Sequence, residues 1–369
     1  MTSAQIVSTY VSGSPSDIAV VGLVGDVEKT KHYTATQFMA LFSGTSYRLY
    51  APHITGVEVP EVTTPPPPPV EFQIDRWWGR DRYVTAVEIS KENYPTGASS
   101  VFIATGENFP DALAAAPLAY NRNAPVLLSK TASIPQDTVD EIKRLDPDRI
   151  YILGGTAAVS SGVATQLSGY APVTRVSGND RHATAAEISK ATYPGGSDVV
   201  YVATGRDFPD PLVGAPLAGY NGGPILLTDG TALTGATLSE LARLGPNSIV
   251  VVGAGTSVSQ AVVDQLKGYA PVVAVSASDR YETSVKMSQQ TFETTDVVFV
   301  ATGGNFPDAL AVGPAAIEAG GPLLLVSTTS LPSSVAEELV RLDPDRVVIL
   351  GGTAAVSVAV EEAIDALFD

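Results

Sequence analysis

The sequence predicts an α/β protein of three tandem, doubly wound parallel-sheet modules, with a small β-rich segment ahead of them. Three observations carry that reading. The word VFIATGENFPDAL from Val101 to Leu113 returns as VYVATGRDFPDPL from Val200 and as VFVATGGNFPDAL from Val298, so its aspartate recurs after 99 and then 98 residues. Other words keep the same order and beat. GRDRYVTAVEISK around Asp81 recurs around Asp180 and Asp279, PVLLS at Pro125 recurs at Pro224 and Pro322, and ILGGTAAVS at Ile152 recurs at Val251 and Ile349. Between these words, short runs that are apolar throughout alternate with helical periodicity, the pattern of a parallel sheet covered on both faces. A period near 100 residues is long enough for each copy to have its own core.

Taken in order, residues 1–64 share none of the repeated words. IAVVGLV from Ile18 and YRLYA from Tyr47 read as short strands and ATQFMALF from Ala35 as a short helix. Some 60 residues is marginal for an independent core, so the segment reads either as an attachment piece completed by a partner or as a small free-standing β domain. Residues 65–70 open with five prolines, Pro65 to Pro69, a stiff polyproline spacer of roughly 15 Å. The modules follow over 71–170, 171–269 and 270–369.

In the first copy Asp81 is the expected N-cap of a helix that places Tyr83, Ala86, Val87 and Ser90 on one face. SVFIATG is a strand, and FPDALAAAPLAY a helix that starts at Pro110, where a missing N–H costs nothing. PVLLS is a buried strand, and Pro135 to Leu145 a helix with Val139, Ile142 and Leu145 inward. RIYILGG is a strand, AAVSSGVATQLSGY a helix, and PVTRVSG leads into the next copy. Each module thus has about four strands. Packing around a pseudo-threefold axis brings like patches together most simply; beads on a string is the alternative.

The composition narrows the function classes. With 22 basic and 39 acidic residues the net charge is −17, a field that repels nucleic acid and anionic lipid, so neither is an expected partner. No apolar run approaches the roughly 20 residues of a membrane-spanning helix. There is no cysteine and there are three histidines, of which His32 and His53 lie outside the repeats and His182 stands where the other copies have Tyr83 and Tyr281. No metal-ligand spacing, nucleophile elbow, dinucleotide fingerprint or Walker lysine appears, so no catalytic residue, metal or cofactor is expected. The first residues lack the charged start and apolar core of a secretory signal.

Ligands of open parallel sheets bind outside the carboxyl ends of the strands, beside helix N-termini. The Thr-Gly pairs at Thr105, Thr204 and Thr302 end such strands, followed by Asn108 and Asp111, by Asp207 and Asp210, and by Asn305 and Asp308. The Gly-Gly pairs at Gly154 and Gly351 end another strand. Two readings stand for Asp111, Asp210 and Asp308: helix-start carboxylates favoured by the dipole and salt-bridged to Arg82, Arg181 and Arg280, or members of a ligand site with those arginines. Trp77 and Trp78 align with Val176–Ser177 and Val275–Ser276, so a function common to all three repeats does not depend on them.

The words DRYxTAxEIS, ATGxNFPDAL, PVLLS and ILGGTAAVS, in this order at this spacing, resemble the cell wall binding repeat type 2 family over residues 71–369. The resemblance implies three Rossmann-like modules in a compact pseudo-trimer that binds, without catalysis, an anionic secondary polysaccharide of Gram-positive cell walls. It also implies anchoring through the PxLL word. Carried over, the contact positions are Pro125 to Leu128, Pro224 to Leu227 and Pro322 to Leu325, the leucine pairs being Leu127 and Leu128, Leu226 and Leu227, and Leu324 and Leu325. Arg82, Arg181 and Arg280 become charge partners of the polymer. The copies depart from one another at Pro211, at Gly245 to Ser248 and at Ala277. A consistent whole is a protein held by residues 1–64 on an assembly such as a bacteriophage capsid or tail, displaying the modules outward. A secreted cell-surface protein with its signal removed competes with it. An enzyme acting on a nucleotide sugar or wall glycan is the other class. The expected location is extracellular, on a virion surface or the bacterial wall.

Overall fold

The computed structural model describes residues 71–107, 111, 113–304 and 307–368, and, by backbone alone, 4–11, 14–24 and 27–33; Pro307 is likewise described by backbone alone. The chain divides into two compact units, Met1–Pro68 and Pro69–Asp369. In the first unit β1 (Ala4–Val11), β2 (Ser14–Val24) and β3 (Val27–Tyr33) form an antiparallel sheet in that order. The run at Ile18 is therefore a strand. The helix expected at Ala35, the strand at Tyr47, the prolines from Pro65 to Pro69, and Asn108 and Asn305 lie outside the described residues.

The second unit holds three parallel four-stranded sheets. The first consists of β5 (Ser100–Thr105), β6 (Val126–Ser129), β7 (Arg149–Leu153) and β8 (Val173–Val176), in the order β6-β5-β7-β8. The second repeats this as β10-β9-β11-β12, with β9 (Val199–Thr204), β10 (Ile225–Thr228), β11 (Ser248–Val252) and β12 (Val272–Val275). The third contains β13 (Val297–Thr302), β14 (Leu323–Val326) and β15 (Arg346–Leu350), and its fourth strand is β4 (Gln73–Trp77), from the other end of the unit. Each sheet therefore takes its edge strand from beyond the expected repeat boundary. Pairing of Val347 with Ile74 and of Leu350 with Trp77 closes the last repeat onto the first.

Directly after each edge strand the chain enters the helix of the Asp-Arg word: α1 (Arg82–Asn93), α5 (Arg181–Thr192) and α9 (Arg280–Thr291). These lie against β6, β10 and β14, so one short stretch completes one sheet and covers the next. Asp81 caps α1 by accepting from the N–H groups of Tyr83 and Val84 at 3.0 Å, and Asp180 and Asp279 cap their helices in the same way. Three further helices, α2 (Ala116–Asn121), α6 (Pro209–Tyr220) and α10 (Gly313–Ala319), pack pairwise around a central pseudo-threefold junction. Their small residues permit this approach. A side chain at Gly313 would collide with Ala116, and Leu113, Leu212 and Leu310 fill the junction.

The helix expected from the FPD word forms throughout only in the second copy. There Pro209 and Pro211 both fall in the first turn, where the absent N–H groups have no partner to lose and φ is already helical. In the third copy Pro307–Ala309 is a 3₁₀ turn and α10 begins at Gly313, and in the first copy α2 begins at Ala116, in each case one residue before a proline.

The outer helices α3 (Gln136–Leu145), α7 (Gly235–Leu244) and α11 (Ser333–Leu342) bury Ile142, Leu241 and Leu339 completely. Each also buries a glutamate, Glu141, Glu240 or Glu338, at no more than 2% exposure. Such a carboxylate is tolerable only if paired. Arg144, Arg243 and Arg341, three residues on, supply two hydrogen bonds each at 2.6–2.8 Å and reach on to backbone carbonyls of the loop after α1, α5 or α9. Ser90, Ser189 and Gln289 supply the remaining donors to these glutamates. Among the described residues no helix is long and apolar enough to cross a membrane.

Removing one partner of a buried pair leaves an uncompensated charge, so Arg243→Met is expected to lower the unfolding free energy by roughly 3–5 kcal/mol in urea titrations. Trp77, 8% exposed on the closing strand, is expected to cost a similar roughly 3–5 kcal/mol as Trp77→Ala.

Candidate functional site

The carboxyl ends of the strands meet the Asp-Arg helices at three equivalent junctions, and each junction is a cleft. The first is lined by Asp111, Gly155, Asp180, Arg181 and Thr184 and encloses about 270 Å³. The second, lined by Asp210, Ser257, Asp279 and Arg280, encloses about 160 Å³. The third lies where the ring closes, between Asp308 and Gly352 of the last repeat and Trp78 to Arg82 of the first, and encloses about 320 Å³. Three words far apart within a repeat thus converge, with the Asp-Arg word supplied each time by the following copy.

The glycine that opens the loop after β7, β11 or β15 explains how the aspartate fits. Gly154, Gly253 and Gly351 have φ of +90°, +79° and +93°, a region that disfavours side chains. A Cβ there would strike Oδ2 of Asp111, Asp210 or Asp308. The carboxyl therefore lies over bare backbone, buried at Asp210 and partly buried at Asp111 and Asp308. Burial pushes all three carboxyls above the usual carboxylate range, against the opposing pull of a hydroxyl donor and of the facing arginine. That arginine belongs to the next copy: Arg181 faces Asp111, Arg280 faces Asp210 and Arg82 faces Asp308.

Each arginine is aimed by a contact with backbone rather than with this carboxylate. Nη1 of Arg82 donates to the carbonyl of Gly106, and Arg181 and Arg280 do the same to Gly205 and Gly303. The guanidinium thereby links the Thr-Gly strand end of its own copy to the cleft of the preceding one. Arg280 also lies 3.9 Å from Asp207.

The second cleft differs from its neighbours at several positions, and two of them, Ala277 and Ser257, change its hydrogen bonds. Gly79 and Gly178 have no room for a Cβ against Val84 and Ala183, yet the third copy carries Ala277 there. In the first two copies the hydroxyls of Thr85 and Thr184 accept from the N–H of that glycine at 3.2 and 3.1 Å. Thr283 instead donates to the Asp279 carbonyl at 2.9 Å. Ser257, in place of Ala158 and Ala355, supplies the hydroxyl that Asp210 accepts from.

The sequence-expected residues thus separate. Asp111, Asp210, Asp308, Arg82, Arg181 and Arg280 come together at the clefts. Leu127, Leu128, Leu226, Leu227, Leu324 and Leu325 lie instead in β6, β10 and β14, at most 1% exposed and buried in the core rather than at the surface. Their apolar run is that of a strand covered on both faces. Sequence reasoning set Trp78 aside because the other two copies lack it, and missed Arg80 beside the Asp-Arg pair, whose absence from those copies was the available signal.

A carboxyl with a raised folded pKa takes up a proton more readily when folded. Its contribution favours the native state in acid and is lost as pH rises through the raised value. Glu282 has the opposite sign: Ser278 and Lys286 hold it down at about 2, and its contribution is lost as pH falls toward that value. Relative to the unmodified chain, Asp210→Asn is therefore expected to gain stability as pH rises from about 4 to 7, read by urea unfolding along that range; Glu282→Gln should lose stability relative to it as pH rises from about 2 to 5.

Comparison with known proteins follows the same threefold division. The family profile of Cell wall binding domain 2 (CWB2) matches residues 76–164, 175–263 and 275–361. N-acetylmuramoyl-L-alanine amidase LytC of Bacillus subtilis is 33% identical over 288 residues, covering 78% of this chain and 57% of the relative. The amidase enhancer of the same organism is 31% identical over 293 residues, covering 79% of this chain and 40% of the relative. The chain thus spans about half the length of these curated relatives. Among solved structures, Cwp6 from Clostridium difficile superposes with a TM-score of 0.74 at 24% identity, over 94% of this chain and 56% of that one. Cwp8 gives 0.73 at 24% identity, over 100% and 63%. The fold is shared.

Proposed function

From the premise that the chain belongs to the Cell wall binding domain 2 family, we propose that its three junction clefts bind an anionic secondary polysaccharide of the Gram-positive wall without catalysis. The observation that carries the reading is the threefold recurrence of one cleft, each with an arginine aimed across a repeat boundary beside a desolvated carboxyl. Three linked weak sites gain avidity on a repeating polymer through effective concentration, whereas turnover gains nothing comparable from three copies. Arginine suits this role, since its fixed fork of donors matches phosphate and carboxylate oxygens. Residues 1–64 form the attachment segment in this proposal, joining the modules to a protein assembly of which a bacteriophage capsid or tail is the leading case. A secreted surface protein is the other carrier.

Sedimentation with purified walls, before and after acid extraction of the secondary polymer, tests the reading. Residues 71–369 are expected to sediment with untreated walls only, and residues 1–70 on a fluorescent carrier to stay in solution. Single Arg→Gln changes at Arg82, Arg181 or Arg280 should weaken wall binding only a few-fold and the triple change by about a hundredfold or more, with circular dichroism confirming the fold. A repeat fragment that ignores every wall, or that turns over glycan substrates, would sink the proposal.

A further inference from the structure

The three clefts are not equal. At the closing cleft the indole of Trp78 lies over Gly352, its ring 3.1 Å from where a side chain there would begin, and the residue remains 53% exposed. The same space above Gly155 in the first cleft is open, with nothing within 4 Å. The positions equivalent to Trp78 hold Ser177 and Ser276, and those equivalent to Arg80 hold Asn179 and Ser278. Arg80 is fixed at the rim by an ion pair with Asp137 while its side chain is still 68% exposed.

Charge follows the same asymmetry. The lining of the closing cleft sets Arg80 and Arg82 against Asp81 and Asp308, with Asp137 paired to Arg80 at the rim, and it alone of the three holds two guanidiniums. The first cleft has one carboxylate in excess and the second has two. On a chain of net charge −17, this is the cleft where an anion meets the least repulsion. An exposed indole beside a guanidinium is the pairing that holds a sugar ring by its apolar face and an attached acidic group by ionic hydrogen bonds.

We propose that the closing cleft is the principal site of the three and takes a pyranose ring on Trp78 with its anionic substituent on Arg80 and Arg82. This rests on the wall-polymer reading above. It adds that the other two clefts are weaker accessory sites, and that one site depends on the first and last repeats being brought together, which the pairing of β4 with β15 does.

The test uses the full chain and three probes: glucose 1-phosphate, glucuronic acid and glucose. Trp78 is the exposed one of only two tryptophans, so its emission reports occupancy. The two acidic sugars are expected to quench it saturably and glucose more weakly. A stronger response to one acid identifies the ligand as phosphodiester or carboxylate. Trp78→Ser should lower affinity for the acidic sugars about tenfold by calorimetry, and Arg80→Asn should bring them down to the level of glucose. Grafting Ser177→Trp with Asn179→Arg should create a second tight site in the first cleft. The proposal is overturned if none of the sugars quenches saturably, if calorimetry finds three equivalent sites, or if Trp78→Ser and Arg80→Asn bind as the unmodified chain does. Should those results appear while the triple arginine variant still loses wall binding, the wall reading stands and only the ranking of clefts falls. If the unmodified chain fails to sediment, the wall reading falls with it.

Discussion

The stitch between neighbouring repeats is the constraint on which the rest of the structure depends. A short strand finishes one parallel sheet, and within four or five residues the chain has entered a helix that covers the next sheet. Parallel pairing makes this possible, since the strand delivers the chain at the carboxyl end of the sheet, where the next helix must start. The clefts follow without further design. A helix N-terminus with its capping aspartate and its arginine is set against the strand ends and glycine loop of the previous copy, so no cleft belongs to one repeat alone.

The stitch also explains the electrostatics. Net charge alone argues against an anionic ligand, and the capping aspartates add to that repulsion locally. Burial against bare glycine backbone raises the FPD carboxyls, while the facing arginines pull them down. The arginines are held by backbone carbonyls and not by a carboxylate in direct bidentate contact, which preserves the cationic face of the fork.

Much of this was legible in the sequence, for local reasons. Asp81 reads as a cap because its side chain satisfies N–H groups two and three residues away, and Val139, Ile142 and Leu145 read as one inward face because they are one helical turn apart. The module count follows from the spacing of words. The identity of the edge strands was not legible: QIDRW, VTRV and VVAV share no common pattern, and their partners are chosen by tertiary packing across the repeat boundary. Nor was the burial of Glu141, Glu240 and Glu338, because an acidic residue three positions before an arginine is also what a solvated helix face carries. The PxLL leucines show the converse. Buried strands and conspicuous sequence words coincide there, and the word marks the core.

Closure by β4 has one more consequence. Phe72 and Phe368 stack with their rings 4.1 Å apart, and Gln73 pairs with Arg346. The two ends of the wall-binding unit therefore leave it side by side. A unit whose ends meet can be spliced into a surface loop of a host protein without prying the host apart, as well as hung from a spacer. The same geometry lets the ring be recut at either of its other two stitches, so the order of repeats along the gene is a matter of descent more than of architecture.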